Sequence, residues 1–230
     1  MNEKILIVDD TADIRELLLE ALQMAGYVVC EAANGTEAFS KIKMESPDLI
    51  ILDIAMPDIS GFHVLRVLRK TSKIPVIMLS ARAETADKVE SFELGADDYI
   101  TKPFQIAEMT ARVEAVLRRT VKSTPVPGTV DFNDGRLLID FAKHRVIVEE
   151  KEMALTPKEY ELLRELVLNT GTVLKYEQLL RDIWGDEYKD EKKLVHAIVR
   201  RLREKIEADP KKPPYIIAIS GIGYRFKEPF

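Results

Sequence analysis

The chain has 230 residues, 46% hydrophobic and 32% charged, which is ordinary for a soluble globular protein and enough for two cores of roughly 100 to 120 residues each. Its single cysteine, Cys30, excludes an internal disulfide and a Cys-rich metal site, and no apolar run approaches the roughly 18 residues of a membrane span. Residues 1–121 carry 14 Lys and Arg against 20 Asp and Glu, and residues 122–230 carry 20 against 19, an asymmetry that points to halves with different partners. MNEKILIVDD has no basic and apolar leader before it, so the expected address is the cytoplasm, with no membrane partner.

KILIV, residues 4–8, is a short apolar run ending on Asp9 and Asp10, and a helical pattern follows from Ile14 to Ala25 with a Gly26 stop. Tyr27–Glu31 reads as a second strand and Asn34–Met44 as a second helix. The third strand, Leu49–Leu52, is apolar at every position, as a strand buried on both faces must be, and stops on Asp53; Gly61 then opens a helix with Phe62, Leu65 and Leu68 inward. Ile74–Leu79 is a fourth strand ending at Ser80-Ala81. A helix from about Glu84 to Leu94 stops at Gly95, and Asp98–Thr101 is a fifth strand ending at Lys102-Pro103. The last helix of this half runs from about Gln105 to Arg119. Five strand–helix alternations predict a doubly wound α/β domain with a parallel sheet and right-handed crossovers. Asp9, Asp10, Asp53, Ser80 and Lys102 then share the carboxyl rim of the sheet, where ligands collect in such folds.

Three carboxylates in one pocket repel, and burying them is costly unless a cation joins them. Mg²⁺ with oxygen ligands meets that need, a lysine and a small hydroxyl supply donors to a transferring phosphoryl group, and an aspartate is a legitimate phosphoryl acceptor. The chemistry suggested is aspartyl phosphate formation at Asp53. Asp9-Asp10, Asp53, Met56-Pro57, Gly61, Ser80-Ala81, Tyr99 and Lys102-Pro103-Phe104, in that order and at those element ends, closely resemble the receiver domain of bacterial two-component response regulators. The resemblance implies that Asp53 is the phosphoacceptor, fed by the phosphohistidine of a sensor histidine kinase. Asp10, Asp53 and the Ala55 carbonyl would hold Mg²⁺, with Asp9 acting mainly through water. It further implies that Lys102 contacts the phosphoryl oxygens, that the Lys102–Pro103 bond is cis, and that Ser80 and Tyr99 form a switch pair. Lys88, Asp97, Asp98, Glu108, Arg112 and Arg119 fall where such regulators form cross-subunit ion pairs, so a homodimer on phosphorylation is expected.

Residues 121–130 carry two prolines and a glycine without periodicity and read as a linker. Asn133-Asp134-Gly135 is a turn signal, followed by strands at Leu137–Asp140 and Arg145–Glu149 and a third around Met153–Leu155. Thr156, Pro157 and Glu159 mark a helix start with a capping box, and the stripe Tyr160, Leu162, Leu163, Leu166, Val167 runs on to Gly171. Helices at about Tyr176–Trp184 and Glu191–Glu207 and a hairpin from Tyr215 to Phe226 complete the chain. The longest helix has Leu194, Ile198, Leu202 and Ile206 on one face and Lys192, Lys193, His196, Arg200, Arg201, Arg203 and Lys205 around it, the arrangement of a helix-turn-helix. LTPKEYELL, RLREKIE and GIGYRF make residues 131–230 resemble the winged-helix DNA-binding domain of the OmpR/PhoB class. That implies an α+β domain with a leading β-sheet, recognition by its third helix, and Arg225 in the wing reaching phosphate or the minor groove. Residues 185–190 would be the loop that touches RNA polymerase. Lys193, His196 and Arg200 are expected at base edges; Arg201, Arg203 and Lys205 serve phosphates or internal ion pairs.

The predicted architecture is a receiver at 1–120, a linker at 121–130 and a winged helix-turn-helix domain at 131–230. The function expected is a phosphorylation-gated transcription factor on double-stranded DNA with repeated half-sites, and not an enzyme. A Mg²⁺-dependent phosphohydrolase shares the strand-end aspartate but generally needs a second carboxylate two residues on, where this chain has Ala55. A C-terminal protein-binding module without a DNA target is the other alternative.

Overall fold

The computed structural model describes residues 3–81, 85–121, 128–132, 136–211 and 214–228. The chain divides into two compact units, Met1–Lys122 and Ser123–Phe230.

The first unit alternates β1 (Lys4–Val8), α1 (Ala12–Met24), β2 (Val28–Ala32), α2 (Gly35–Glu45), β3 (Leu49–Asp53), α3 (Gly61–Leu68), β4 (Val76–Ser80), α4 (Thr85–Leu94), β5 (Asp98–Thr101) and α5 (Ile106–Val121). All four strand pairings are parallel and the order is β2-β1-β3-β4-β5, so the order reverses between β1 and β3 and opens a crevice at their carboxyl ends. β3 and β4 are buried at all five positions, the outcome expected of uninterrupted apolar runs. Side chains alternate between the two faces of a strand. Ile5, Ile7, Leu49, Ile51, Ile77, Leu79 and Ile100 therefore form one core layer with Leu18 and Leu22 of α1 and Met109, Val113 and Val116 of α5. Strand β4 begins at Val76, later than expected, because Pro75 has no N–H for the ladder and offers only its carbonyl, to the N–H of Ile50 (3.0 Å).

The second unit opens with an antiparallel meander of β6 (Thr129–Phe132), β7 (Leu137–Asp140), β8 (Arg145–Val148) and β9 (Lys151–Glu152). It continues through α6 (Pro157–Leu168), β10 (Val173–Lys175), α7 (Tyr176–Ile183), a 3-10 turn (Asp186–Tyr188), α8 (Lys192–Ile206), β11 (Ile216–Ile219) and β12 (Gly223–Phe226). The expected capping box is present: the Thr156 hydroxyl accepts from the Glu159 N–H, and the Glu159 carboxylate accepts from the Thr156 N–H at 2.9 Å. One face of α8 is buried through Leu194, Val195, Ile198, Leu202 and Ile206, packing against α6 and α7.

Several expectations are corrected. Thr129 and Val130, expected in the linker, belong to β6. The strand expected at Met153–Leu155 lies two residues earlier as β9, because Glu149 and Glu150 both take positive φ (48° and 67°) and close a two-residue hairpin that pairs Val148 with Lys151. Nothing in a Glu-Glu pair announces such a turn. Strand β10 was not anticipated; it is three residues long and exists because β12 pairs with it, making a three-stranded sheet β10-β12-β11 of the expected hairpin. Gly223 is required there, since a Cβ at that position would sit 1.9 Å from the Leu174 carbonyl oxygen. The Asn133-Asp134-Gly135 turn, Glu84 and residues 122–127 of the expected linker lie outside the described residues.

Candidate functional site

Asp9 follows β1, Asp53 closes β3, Ser80 closes β4 and Lys102 follows β5, so the parallel topology delivers all four to one rim. Oxygen atoms of Asp9, Asp10 and Asp53 lie within 4.8 Å of one another. Asp9 and Asp53 are buried (0% and 2% exposed), whereas Asp10 is exposed. Lys102 Nζ lies 2.5 Å from Asp9 Oδ2 and 2.6 Å from Asp53 Oδ1. The Ala55 N–H donates to Asp53 Oδ2 (2.9 Å) and the Thr11 N–H to Asp9 Oδ1 (3.0 Å). The Lys102–Pro103 bond is cis, as the resemblance implies, and the Lys102 N–H donates to the Ser80 carbonyl at 2.7 Å.

Burial pushes the Asp53 carboxyl above its ordinary range, and the Lys102 ammonium only partly offsets this. For Lys102, burial pulls downward but the hydrogen bonds to Asp53 and Asp9 outweigh it, and its pKa is raised. One ammonium thus bridges two buried carboxylates and offsets one of their two charges, and the third carboxylate, Asp10, faces outward with hard oxygen donors. That donor set fits Mg²⁺. Ser80 and Tyr99 are both buried, at 2% and 4% exposure. Gly61 packs against the strand that carries Asp53; a Cβ there would lie 2.1 Å from the Asp53 carbonyl oxygen.

Two supports of the site were not visible in the sequence. Arg15 of α1 donates to the Asp9 carbonyl (2.8 Å) and faces Glu31 at 3.4 Å, but its position on the polar side of α1 does not distinguish it from a solvated arginine. Asp58, in the loop after β3, accepts from the N–H groups of Gly35 and Thr36 and from the Thr36 hydroxyl, each at 3.0 Å, and so caps α2 from a distance in sequence. Its pKa is lowered to about 2, by the Ile59 N–H first and then by Gly35 and Thr36. Because the folded value lies below the unfolded one, Asp58 stabilises the receiver above about pH 3.8, and this contribution is lost as pH falls towards 2. Asp58→Ala is expected to lower the receiver's thermal midpoint at pH 7 and to shrink the wild type's margin at pH 2; equal midpoints at pH 7 contradict this.

The six expected dimer residues do not share one environment. Asp97 is corrected: it is 1% exposed and turned inward, where Oδ2 accepts from Arg69 Nη2 (3.1 Å) and from the Val76 N–H (2.9 Å), so it serves its own domain. Asp98, 5% exposed, lies 3.3 Å from Arg112, which also contacts Glu108 at 3.0 Å, so these three charges are paired within the chain. Lys88 is half-buried on α4. The Arg119 side chain lies outside the described residues.

In the C-terminal unit, Lys193, His196 and Arg200 are exposed at spacings of three and four, forming one outward stripe on α8. Arg201 and Lys205 take the internal role instead, at 2.7 Å and 2.5 Å from the fully buried Glu159 carboxylate. Arg203 donates to the Ile216 carbonyl (2.7 Å) and lies over the Tyr224 ring, which ties α8 to the wing. Arg225 is half-buried on β12. Described helices include none long and apolar enough to cross a membrane.

Residues 5–114 match the response regulator receiver domain, and residues 150–226 match the C-terminal domain of transcriptional regulatory proteins. The chain is 41% identical to the alkaline phosphatase synthesis transcriptional regulatory protein PhoP of Bacillus subtilis, covering 100% of this chain and 98% of that protein. It is 40% identical to the regulatory protein VanRc of Enterococcus gallinarum, covering 97% and 98%. Among solved structures it is similar to DrrB, an OmpR/PhoB homologue of Thermotoga maritima, at 34% identity and a TM-score of 0.52 over 99% of this chain and 100% of that one. A rim that gathers three carboxylates and a lysine, an α8 with an outward basic stripe, and full-length similarity at this level together place the chain: it belongs to the OmpR/PhoB family of response regulators, transcriptional regulators with a receiver domain followed by a winged-helix DNA-binding domain.

Proposed function

We propose that Asp53 accepts a phosphoryl group from the phosphohistidine of a sensor histidine kinase, and that this modification controls binding of the C-terminal domain to double-stranded DNA. The observation that carries the reading is Lys102 bridging Asp9 and Asp53 at 2.5 Å and 2.6 Å on the sheet's carboxyl rim. An Asp53 carboxylate oxygen attacks phosphorus, the P–O bond forms as the P–N bond breaks, and the imidazole nitrogen leaves with the bonding pair. The Ala55 N–H holds the other oxygen and orients the carboxylate. Lys102 follows the negative charge from the carboxylates to the phosphoryl oxygens. Asp10, Asp53 and the Ala55 carbonyl would hold Mg²⁺, with Asp9 behind them, and the bound ion would supply neutralising charge to the phosphoryl oxygens. Ser80, at the end of β4, donates its hydroxyl towards the phosphoryl group, and the buried Tyr99 ring on β5 adjusts behind it.

The receiver then pairs with a second copy through α4, β5 and α5, using Lys88, Asp98, Glu108, Arg112 and Arg119. Dimerisation raises the effective concentration of the second DNA-binding domain on a repeated half-site. Lys193, His196 and Arg200 face base edges, Arg225 reaches the backbone or minor groove, and residues 185–190, with Asp186, Glu187 and Asp190 exposed, meet RNA polymerase. The setting is the cytoplasm, and the chain acts as a regulator and not as an enzyme on free substrates.

The test uses full-length wild type and Asp53→Ala with Mg²⁺ and acetyl phosphate, followed by intact mass and sedimentation. Wild type is expected to gain one phosphoryl group and move from monomer to dimer, while Asp53→Ala does neither. Equal phosphoryl uptake by the variant would sink the assignment of Asp53.

A further inference from the structure

His196 stands on the outward stripe of α8, but its ring does not swing freely there. It meets the Tyr176 ring edge-on at 5.1 Å and the Tyr224 ring at 6.0 Å, and those two rings meet each other at 5.8 Å. Nδ1 of His196 lies 2.7 Å from the Tyr224 hydroxyl. Tyr224 belongs to β12 of the wing and is 4% exposed, and Tyr176 opens α7. Lys192 lies 5.7 Å from the Tyr176 centroid and Arg203 the same distance from that of Tyr224, so a cation lies over each ring. Three elements therefore set the orientation of one imidazole. Its inner nitrogen is used, and no hydrogen bond to Nε2 is made by the described residues.

The identity of the donor follows from the chemistry of the pair. A phenol is a good donor and a weak acceptor, whereas the unprotonated nitrogen of a neutral imidazole is a good acceptor. Burial first, and then the Tyr176 hydroxyl with which it also hydrogen-bonds, push the Tyr224 hydroxyl up to about 12, so it keeps its proton. Burial also lowers the His196 pKa from its ordinary 6.5, so the neutral ring predominates at pH 7 and above. When the tyrosine O–H donates to the inner nitrogen, that nitrogen is the unprotonated one and the imidazole proton sits on the outer nitrogen.

We infer that His196 is a specificity-determining residue whose reading edge is set by the wing: Tyr224 donates to Nδ1, and His196 presents Nε2–H as a single, fixed donor to the major groove. Such a donor selects a base-edge acceptor, and guanine, with N7 and O6 side by side, offers two of them. A cytosine at that position presents a donor instead and is rejected. This inference rests on the DNA-binding reading of the C-terminal domain and adds to it the direction of the hydrogen bond and the residue that fixes it.

Two measurements on the full-length protein test it. The chain has three histidines, so long-range ¹H–¹⁵N spectra at pH 8, assigned with His196→Gln, report the tautomer of His196 directly. The expected result is a protonated Nε2 in wild type and a mixture of tautomers in Tyr224→Phe. A protonated Nδ1 in wild type overturns the inference. Selection from a randomised duplex library then reads the consequence: wild type enriches guanine at one position per half-site by roughly tenfold over other bases. His196→Ala loses that preference and Tyr224→Phe weakens it, while the dependence of affinity on salt is unchanged because phosphate contacts remain. An identical consensus from wild type and His196→Ala overturns the role of His196 and leaves the DNA-binding reading standing. No consensus from any of the three proteins overturns both.

Discussion

Glu159→Ala is expected to destabilise the C-terminal domain by about 3–5 kcal/mol, a large fraction of the stability of a domain this size. The carboxylate is fully buried and holds two helices together. It closes the capping box of α6 through the Thr156 N–H, and it binds Arg201 and Lys205 on successive turns of α8. Removing it takes from Arg201 and Lys205 their shared buried carboxylate and leaves the Thr156 N–H without its acceptor, although the Thr156 hydroxyl still caps the helix. Trp184, the chain's single tryptophan and 4% exposed in this domain, provides the readout by fluorescence during urea unfolding. The pH dependence follows from the same contacts. Burial pushes Glu159 upward, but Arg201 and Lys205 outweigh it and hold its pKa below 4.5 in the folded domain. Its contribution is therefore complete above about pH 4.5 and is lost as pH falls through the lower folded value. A variant with the wild-type urea midpoint at pH 7 would contradict this account.

Lys102→Met is expected to cost the receiver about 3–5 kcal/mol in the absence of divalent ions, and to make its stability strongly dependent on Mg²⁺. Asp9 and Asp53 are 0% and 2% exposed and share one ammonium, so its removal leaves two like charges close together with no cation between them. A divalent ion that binds only the folded carboxylates stabilises by mass action, about 2.7 kcal/mol at a hundredfold excess over its dissociation constant. In wild type the lysine already supplies part of that charge, so added Mg²⁺ raises the thermal midpoint less than in the variant. Phosphoryl uptake at Asp53 falls in the variant even with Mg²⁺ present, because the donor to the phosphoryl oxygens is gone. An equal Mg²⁺-induced shift in the two proteins would show that Lys102 is not the cation that holds the pocket together.

Periodicity made the parallel sheet legible because burial on two faces leaves a strand no choice of side chain: β3 and β4 are apolar throughout and stop at Asp53 and Ser80. Turn chemistry was less legible. Glu149 and Glu150 close a hairpin in a conformation that Asn-Gly would have announced, and β10 is a strand only because β12 lies beside it. Charge was the least legible signal. Asp97 reads as a surface charge and proves to be committed inside its own domain, and for Arg201 and Arg203 the sequence left phosphate contact and internal pairing both open, of which the fold selects the internal role.

The order of residue types along the chain, by itself, determined the two domains' classes, the strand-end positions of Asp9, Asp53, Ser80 and Lys102, and the capping box at Thr156. These depend on local period and on element ends, which are properties of neighbouring residues. Only the tertiary structure decided which charges are spent internally, that Asp58 caps a helix 22 residues away in sequence, and that the wing's Tyr224 orients His196. Those outcomes depend on contacts between elements far apart in the chain, where a long charged or aromatic side chain has several partners within reach and packing selects one.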